Sequence, residues 1–401
     1  MSDKNMVYPV EVVALEPIPG KDRIVLARIK DADWTVIVGK DEFKVGDKGV
    51  FFEVDTILPE KPEFEFLRKR CYSEHYRGHR IKSMKFKNED DTFSYSQGLL
   101  MPLSVLPEKA NMNNLMEVLG VRRVEDEIEE EPTNKSHYPK IIIFFDRILR
   151  RFGIRLINVK GKATHFPSDL ISRTDETQAQ NLGYVYESWK GKLCYSTVKM
   201  DGSSLSIIKY KDRFIVASRN QRLYDEKFTK ALKDLTPKRE DKYTKSPYLR
   251  MMCKLDLPAQ FKKNKNIHDI AFQGELCGPA IQKNRMGYND LRLFIFNAYD
   301  LKEKEYYSFH WMKHFCNELG LETVPFIEYK SFDFDNISDL RKYAEGEYEN
   351  GHPREGVVIR LAGINHETDK FIPHPEKGMS NMASLKIINE KFREVLEKLK
   401  D

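Results

Sequence analysis

The sequence predicts an α+β protein in two parts, a small all-β barrel followed by antiparallel sheets with helices outside. Three observations carry that prediction. Residues 8–105 read as short runs of β-branched and aromatic residues broken by turn signals such as Val45-Gly46-Asp47-Lys48, the pattern of a small barrel. From residue 160 onward strands are joined mostly by turns or single helices without a regular β-α alternation, which argues for antiparallel sheets. Between the two, Val124-Glu125-Asp126-Glu127-Ile128-Glu129-Glu130-Glu131-Pro132-Thr133 is acidic and ends in proline, the character of a surface linker.

Taken in order, strands are expected at 10–15, 23–29, 34–38 and 49–54, with a later group ending at 96–100. Between Phe64 and Lys87 basic and aromatic residues interleave (Phe66, Arg68, Lys69, Arg70, Tyr72, His75, Tyr76, Arg77, His79, Arg80, Lys82, Lys85, Lys87). That mix suits either phosphate pairing with base stacking on a single strand or a solvated barrel edge. Residues 140–152 form an amphipathic basic pattern, expected to be a helix packed against a domain. In the second part strands are expected at 193–199, 203–210, 213–219, 270–276, 291–299, 356–361 and 383–388, with helices at 174–181, 226–235, 310–319, 337–346 and 390–400. The domain expectation is therefore 1–123 for the barrel, 124–160 for the acidic linker and amphipathic helix, and 161–401 for the larger domain.

A chain of 401 residues with 40% hydrophobic residues can bury more than one core. Its net charge of +5 permits a polyanionic partner without requiring one, because 32% of the residues are charged and the basic ones can be gathered locally. The five cysteines are widely spaced, odd in number and lack a Cys-x-x-Cys pair, which points to reduced thiols of an intracellular protein. No apolar stretch approaches the length of a membrane span, and the amino terminus lacks a basic-then-apolar signal. The expectation is an intracellular protein, cytoplasmic or nuclear, not secreted, not membrane-bound and monomeric.

The most informative segment is Lys199-Met200-Asp201-Gly202, inside Ser196 to Ser206. It offers a lysine at the end of an apolar strand, beside a carboxylate and a tight turn, which is how a lysine nucleophile is presented. Free lysine has a pKa of about 10.4, so only about one in a thousand is neutral near neutral pH. Burial beside another cation, for which Lys386 is the candidate, would favour the amine. A hairpin with a solvated lysine reads the tetrapeptide equally well.

Four further segments follow in order: Ser218-Arg219-Asn220, Gln273-Gly274-Glu275-Leu276, Phe294-Ile295-Phe296-Asn297-Ala298-Tyr299-Asp300, and the pair Arg354-Glu355-Gly356-Val357-Val358-Ile359 with Ser384-Leu385-Lys386-Ile387-Ile388. In that order they resemble the motifs of covalent nucleotidyltransferases of the ligase and capping-enzyme superfamily, whose fold is the ATP-grasp-like antiparallel-sheet domain of DNA and RNA ligases. On this resemblance Lys199 attacks the α-phosphate of a nucleoside triphosphate, and an in-line displacement at phosphorus asks chiefly for charge neutralisation. Lys386 is the candidate for that neutralising cation and Arg219 for a ribose or phosphate contact. Glu355 and Asp201 are candidates for ordering the water shell of a magnesium or manganese ion, which is held by one or two carboxylates plus phosphate oxygens. Glu275 either accepts a ribose hydroxyl or joins that shell, Phe296 is placed against the base, and Val198 joins the nucleotide contacts.

Over nearly its whole length the chain is similar to the fifth family of RNA ligases, in which an OB-like domain precedes the nucleotidyltransferase domain. Pro17-Ile18-Pro19-Gly20, Val45-Gly46-Asp47, Phe52-Glu53-Val54-Asp55, Ser96-Gln97-Gly98-Leu99, Thr174-Asp175-Glu176 and the run from Glu275 to Asn284 carry this similarity. It implies adenylation of Lys199 by ATP, transfer of AMP to a 5'-phosphate end, and attack by a 3'-hydroxyl, at nicks in a duplex whose 3'-hydroxyl strand ends in RNA. Two departures stand out. DNA ligases and capping enzymes place arginine where this chain has Ser204, and many ligases carry a second lysine where this chain has Ile388. Three rival readings are weaker. A guanylyltransferase for capping needs its OB domain after the catalytic motifs, and only 15 residues follow Lys386. DNA nick sealing is weakened by Ser204, and a non-enzymatic OB-fold RNA-binding protein by the presence of every candidate catalytic position.

Overall fold

Strand Thr35–Gly39 alternates half-buried and buried side chains, the period-two pattern of a sheet with one face on a core. In the computed structural model, which describes residues 5–30, 34–89, 93–124, 165–174, 176–376, 379 and 381–398, this strand belongs to the first of two units. One unit is Asn5–Arg28 with Thr35–Thr164, and the other is His165–Asp401 with Ile29–Trp34. The acidic linker from residue 125 and the amphipathic pattern at 140–152 lie outside the described residues.

The first unit is built of β1 (Val7–Ile18), β2 (Lys21–Ile29), β3 (Thr35–Gly39), β4 (Lys48–Phe52), β5 (Thr56–Leu58), β6 (Tyr72–Ser73), β7 (Gly78–Arg80), β8 (Ser83–Lys87), β9 (Phe93–Gln97), β10 (Leu99–Pro102) and β11 (Arg122–Arg123). They form a five-stranded sheet in the order β10-β4-β1-β2-β3, a four-stranded sheet β11-β5-β7-β6 and a hairpin β8-β9. Val7, Val50, Phe52, Leu58, Phe64 and Ile81 close one core inside it. The structure thus bears out an α+β fold with an OB-type front domain.

The second unit contains β12 (Thr177–Gln178), β13 (Leu193–Lys199), β14 (Ser203–Tyr210), β15 (Arg213–Ser218), β16 (Arg222–Lys227), β17 (Ile270–Cys277), β18 (Arg292–Asp300), β19 (Glu305–Tyr306), β20 (Glu322–Thr323), β21 (Phe326–Ser331), β22 (Gly356–Leu361) and β23 (Ser384–Ile388). One sheet runs β12-β23-β22-β13-β21; the other runs β16-β15-β14-β17-β18-β19, with β20 added beside β18. Pairing is antiparallel except for β12 on β23 and β20 on β18. Helices Pro247–Lys254, Leu257–Lys263 and Phe309–Leu319 pack a large core of Leu205, Ile207, Phe214, Phe272 and Leu293. Helix Ile337–Ala344 helps close a second core on Val357, Ile359, Leu385 and Ile387. Each sheet is therefore buried on one face by its own core.

The helix expected at 174–181 is not formed. Thr177–Gln178 pairs in parallel with Leu385 and Lys386, and Ala179–Asn181 is a single 3-10 turn. Thr177 is buried on that edge, and tertiary pairing overrides a segment with little periodicity of its own.

Candidate active site

Lys199 ends β13 because the chain must turn there. A Cβ on Gly202 would stand 2.4 Å from the Leu276 carbonyl oxygen, so only glycine lets the turn lie this close to β17. Across the sheet Lys199 is level with Gly356, and Gly356 is level with Ile388. Gly356 has φ +156° and a Cβ there would meet the Ile387 carbonyl oxygen at 2.0 Å. The glycine after Glu355 is thus what brings β22 and β23 together beneath the lysine.

Lys199 Nζ is 2.7 Å from Glu355 Oε1, with the two side chains 24% and 19% exposed. Burial opposes the charge on Lys199, but the carboxylates of Glu355, Glu275 and Glu176 outweigh it and hold the ammonium above its ordinary value. This corrects the expectation of an amine depressed by a neighbouring cation: in the chain without nucleotide or metal the closest groups are acids. Glu275 is pushed up to about 8, first by burial and then by Glu355 and Glu176, with Lys199 and Arg219 pulling the other way. Carboxylates in excess of nearby cations are what a site for a divalent ion requires. Among the described residues no group of three His, Cys, Asp or Glu side chains is placed to hold a metal ion by itself.

The other sequence-selected residues are placed as follows. Arg219 follows the end of β15 and lies within electrostatic reach of Glu275. Lys386, on β23, pairs with Val358, which pairs with Thr197 on β13; it is half-buried one row from Lys199. Phe296 is the extra residue of a bulge in β18, since Asn297 pairs with Gln273 while Ile295 pairs with Gly274. A bulge re-aims a side chain and leaves its backbone unpaired, and the Phe296 carbonyl instead accepts from Arg360 Nη1 at 3.1 Å. Val198 and Phe296 both pack against Met200, Cys277, Phe294, Val324 and Tyr348. Asp201 is already engaged: its Oδ2 accepts from Arg285 Nη1. Ser204, opposite Glu275, shares a hydrogen bond of 3.0 Å with Thr174.

Three residues at this site escaped the sequence reading. Arg360, 1% exposed, pairs with Glu176 at 2.8 Å and reaches the Phe296 carbonyl, so one guanidinium joins the two sheets beside the lysine. The Tyr348 hydroxyl donates to the Lys199 carbonyl at 2.9 Å and accepts from the Glu355 amide at 3.0 Å. Arg285 holds Asp201. Arg360 lies just past the Arg-Glu-Gly-Val-Val-Ile run, where a charge inside an apolar strand is a signal for a buried pair. Nothing local marks Tyr348 or Arg285. Arg354, at the head of that run, serves structure: it donates to the carbonyls of Ala344, Tyr343 and Glu345 at 3.2, 3.0 and 2.8 Å and so satisfies the end of helix Ile337–Ala344.

Comparison with known proteins defines the class. Residues 8–103 match a model of an OB-fold domain and residues 193–372 match the RNA ligase family model. No curated protein sequence matches the chain. The fold is similar to that of Naegleria gruberi RNA ligase with PPi, at TM-score 0.71 and 22% identity over 99% of each chain. Variants of the same protein are similar too: one with ATP and Mn, at TM-score 0.71 and 21% identity over 98% of each chain, and one without ligand, at TM-score 0.69 and 23% identity over 100% of each. The chain is thus an OB-fold domain followed by a ligase domain of antiparallel sheets. Its residues 193–372 carry an RNA ligase domain. Among the described residues no helix is long and apolar enough to cross a membrane.

Proposed function

We propose that this RNA ligase is ATP-dependent, belongs to the fifth RNA ligase family, and works through a lysyl-AMP on Lys199. The observation that carries the reading is the Lys199–Glu355 ion pair of 2.7 Å at the end of β13, with Glu275 close by. Once the Lys199 ammonium has lost a proton to solvent, its neutral amine attacks the α-phosphorus of ATP; the N–P bond forms, the bond from the α-phosphorus to the bridging oxygen breaks, pyrophosphate leaves, and the nitrogen's second proton passes to solvent. AMP then passes to a 5'-phosphate, and a 3'-hydroxyl displaces it to form the phosphodiester.

Each residue has a part in that sequence. Lys386 neutralises charge on the α-phosphate, Arg219 and Glu275 hold the ribose, and Phe296 stacks on the base with Val198 beneath the same wall. Glu355 and Asp201, with Glu275 at the margin, would hold the waters of a Mg or Mn ion, with Asp201 itself fixed by Arg285. When bound, that ion supplies positive charge against the transferring phosphoryl group and against the acids that keep Lys199 protonated. Glu355 holds the proton on Lys199 through their ion pair, so its engagement elsewhere would favour the amine.

The substrate we assign is a nicked duplex whose 3'-hydroxyl strand ends in RNA, sealed by a monomer acting inside the cell in RNA repair. The assigned domain limits are 1–123 for the OB-like nucleic-acid-binding domain, 124–160 for the linker and amphipathic helix, and 161–401 for the adenylyltransferase domain. Incubation with α-labelled ATP or GTP tests the reading: ATP should leave a covalent label on the denatured protein and release pyrophosphate. Efficient labelling by GTP alone would instead favour a capping-type guanylyltransferase.

A further inference from the structure

Residues 278–287 carry five left-handed backbone positions: Gly278 (φ +125°), Ala280 (+67°), Gln282 (+47°), Asn284 (+45°) and Gly287 (+68°). Alanine and glutamine have no local reason to adopt that region, so the segment is held from outside. Two of its side chains grip the nucleophile turn. Gln282 Nε2 donates to the Gly202 carbonyl at 3.3 Å, and Arg285 forms an ion pair with Asp201 in which the side chains are 10% and 12% exposed. The grip is itself anchored. Asn350 Nδ2 donates to the Arg285 carbonyl at 2.8 Å, and the guanidinium lies 5.5 Å from the ring centre of Phe392, a buried residue of the helix Glu390–Lys398.

We propose that Arg285 is a positioning residue for Asp201, fixing its carboxylate at the turn that follows Lys199 while offsetting its charge, so that it sets the site's affinity for a divalent ion and the orientation of that ion's waters in opposite senses. The inference rests on the reading that Asp201 orders the waters of a bound metal. A guanidinium seated this firmly cannot swing away without leaving Asp201, nine-tenths buried, uncompensated. Its positive charge repels an incoming cation, so a chain lacking it attracts the ion more strongly and aligns it less well. A fold merely damaged at this point would lose on both counts.

The test uses the full chain with an ATP analogue whose α,β-bridge is methylene, and reads Mn ion binding by the electron paramagnetic resonance of free Mn. Arg285→Gln should bind Mn about threefold to tenfold more tightly, the size expected for loss of one nearby, partly screened positive charge. Single-turnover adenylation with ATP at saturating Mn should meanwhile slow by at least about tenfold, in the range of a lost positioning contact. Arg285→Lys should restore both quantities toward the parent protein. Phe392→Leu, which loosens the seat and leaves the charge, should slow adenylation with little change in Mn affinity and serves if Arg285→Gln does not fold. In an Asp201→Asn background, Arg285→Gln should slow adenylation no further. Weaker or unchanged Mn binding in Arg285→Gln, or a further slowing of adenylation by it in the Asp201→Asn background, would overturn the inference. If Asp201→Asn alone binds Mn and adenylates like the parent, the reading of Asp201 itself is what fails.

Discussion

At the scale of single residues, the pair Lys199–Glu355 decides most of the chemistry. Lys199→Ala and Lys199→Arg should both abolish the covalent nucleotide, the second because a guanidinium stays protonated at any working pH. Glu355→Gln should slow adenylation by at least about a hundredfold, as removal of one electrostatic stabiliser does elsewhere; near-parent rates across a range of Mg concentrations would reduce Glu355 to a structural partner. A separate residue speaks for the front unit. His79 is fully buried, neither ring nitrogen has a hydrogen-bond partner among the described residues, and its pKa is lowered, first by burial and then by Arg68, against the raising effect of Glu65 and Glu60. A base with a depressed folded pKa gives stability that is present above its unfolded value and lost as pH falls below it. Melting temperature should therefore drop as pH falls below about 6.5, and His79→Leu should flatten that drop. An unchanged pH slope in the variant would remove His79 from the account.

The candidate site was legible at this scale because nucleotidyl chemistry leaves its residue types at strand ends. Lys199, Glu275 and Glu355 stand where their strands predict. The electrostatics were not legible, since the charge that governs a lysine depends on which strands become neighbours. Lys386 was the expected neighbour of Lys199, whereas Glu355 makes the contact and Lys386 lies a row away. Asp201's partner was equally hidden, because Arg285 is 84 residues away in sequence.

At the scale of elements, the long strands announced themselves: β13, β14 and β22 fall at the expected limits. They are apolar runs bounded by charges and turns, which periodicity reads well. The edges were missed. β16 and β21 are half-buried except for exposed ends, so neither alternates clearly, and helices Pro247–Lys254 and Leu257–Lys263 each begin with a proline in the first turn that resembles a loop signal. The element most exposed to test is the β22–β23 pairing. Gly356→Ala places a Cβ against the Ile387 carbonyl and should cost about 1–3 kcal/mol, as overpacking does, lowering the melting temperature and the yield of covalent nucleotide together. A variant of parental stability and activity would show that the pairing relaxes freely.

At the scale of the whole molecule, RNA is the substrate we propose, and the basic and aromatic residues between Phe64 and Lys87 are our candidate for contact with phosphates and bases. Several are already engaged in the folded unit: Arg68 pairs with Glu60 and Glu65 and lies over Tyr72, and Arg80 pairs with Asp55. Binding to a nicked duplex should weaken linearly in log affinity against log salt, with a slope set by the phosphates contacted. A salt-independent affinity would point to a different recognition surface. Sealing should also discriminate between nicks whose 3'-hydroxyl strand ends in RNA and those entirely of DNA; equal sealing of both would shift the assignment toward DNA joining.

All of these outcomes depend on one covalent bond. Mass spectrometry of the proteolysed protein after incubation with ATP and Mg, before any RNA is added, locates it directly. The account predicts AMP on the peptide containing Lys199 and on no other lysine, with the adduct discharged when pyrophosphate is supplied. AMP on a different residue, or an unmodified Lys199 peptide from protein that nevertheless seals RNA, would contradict it.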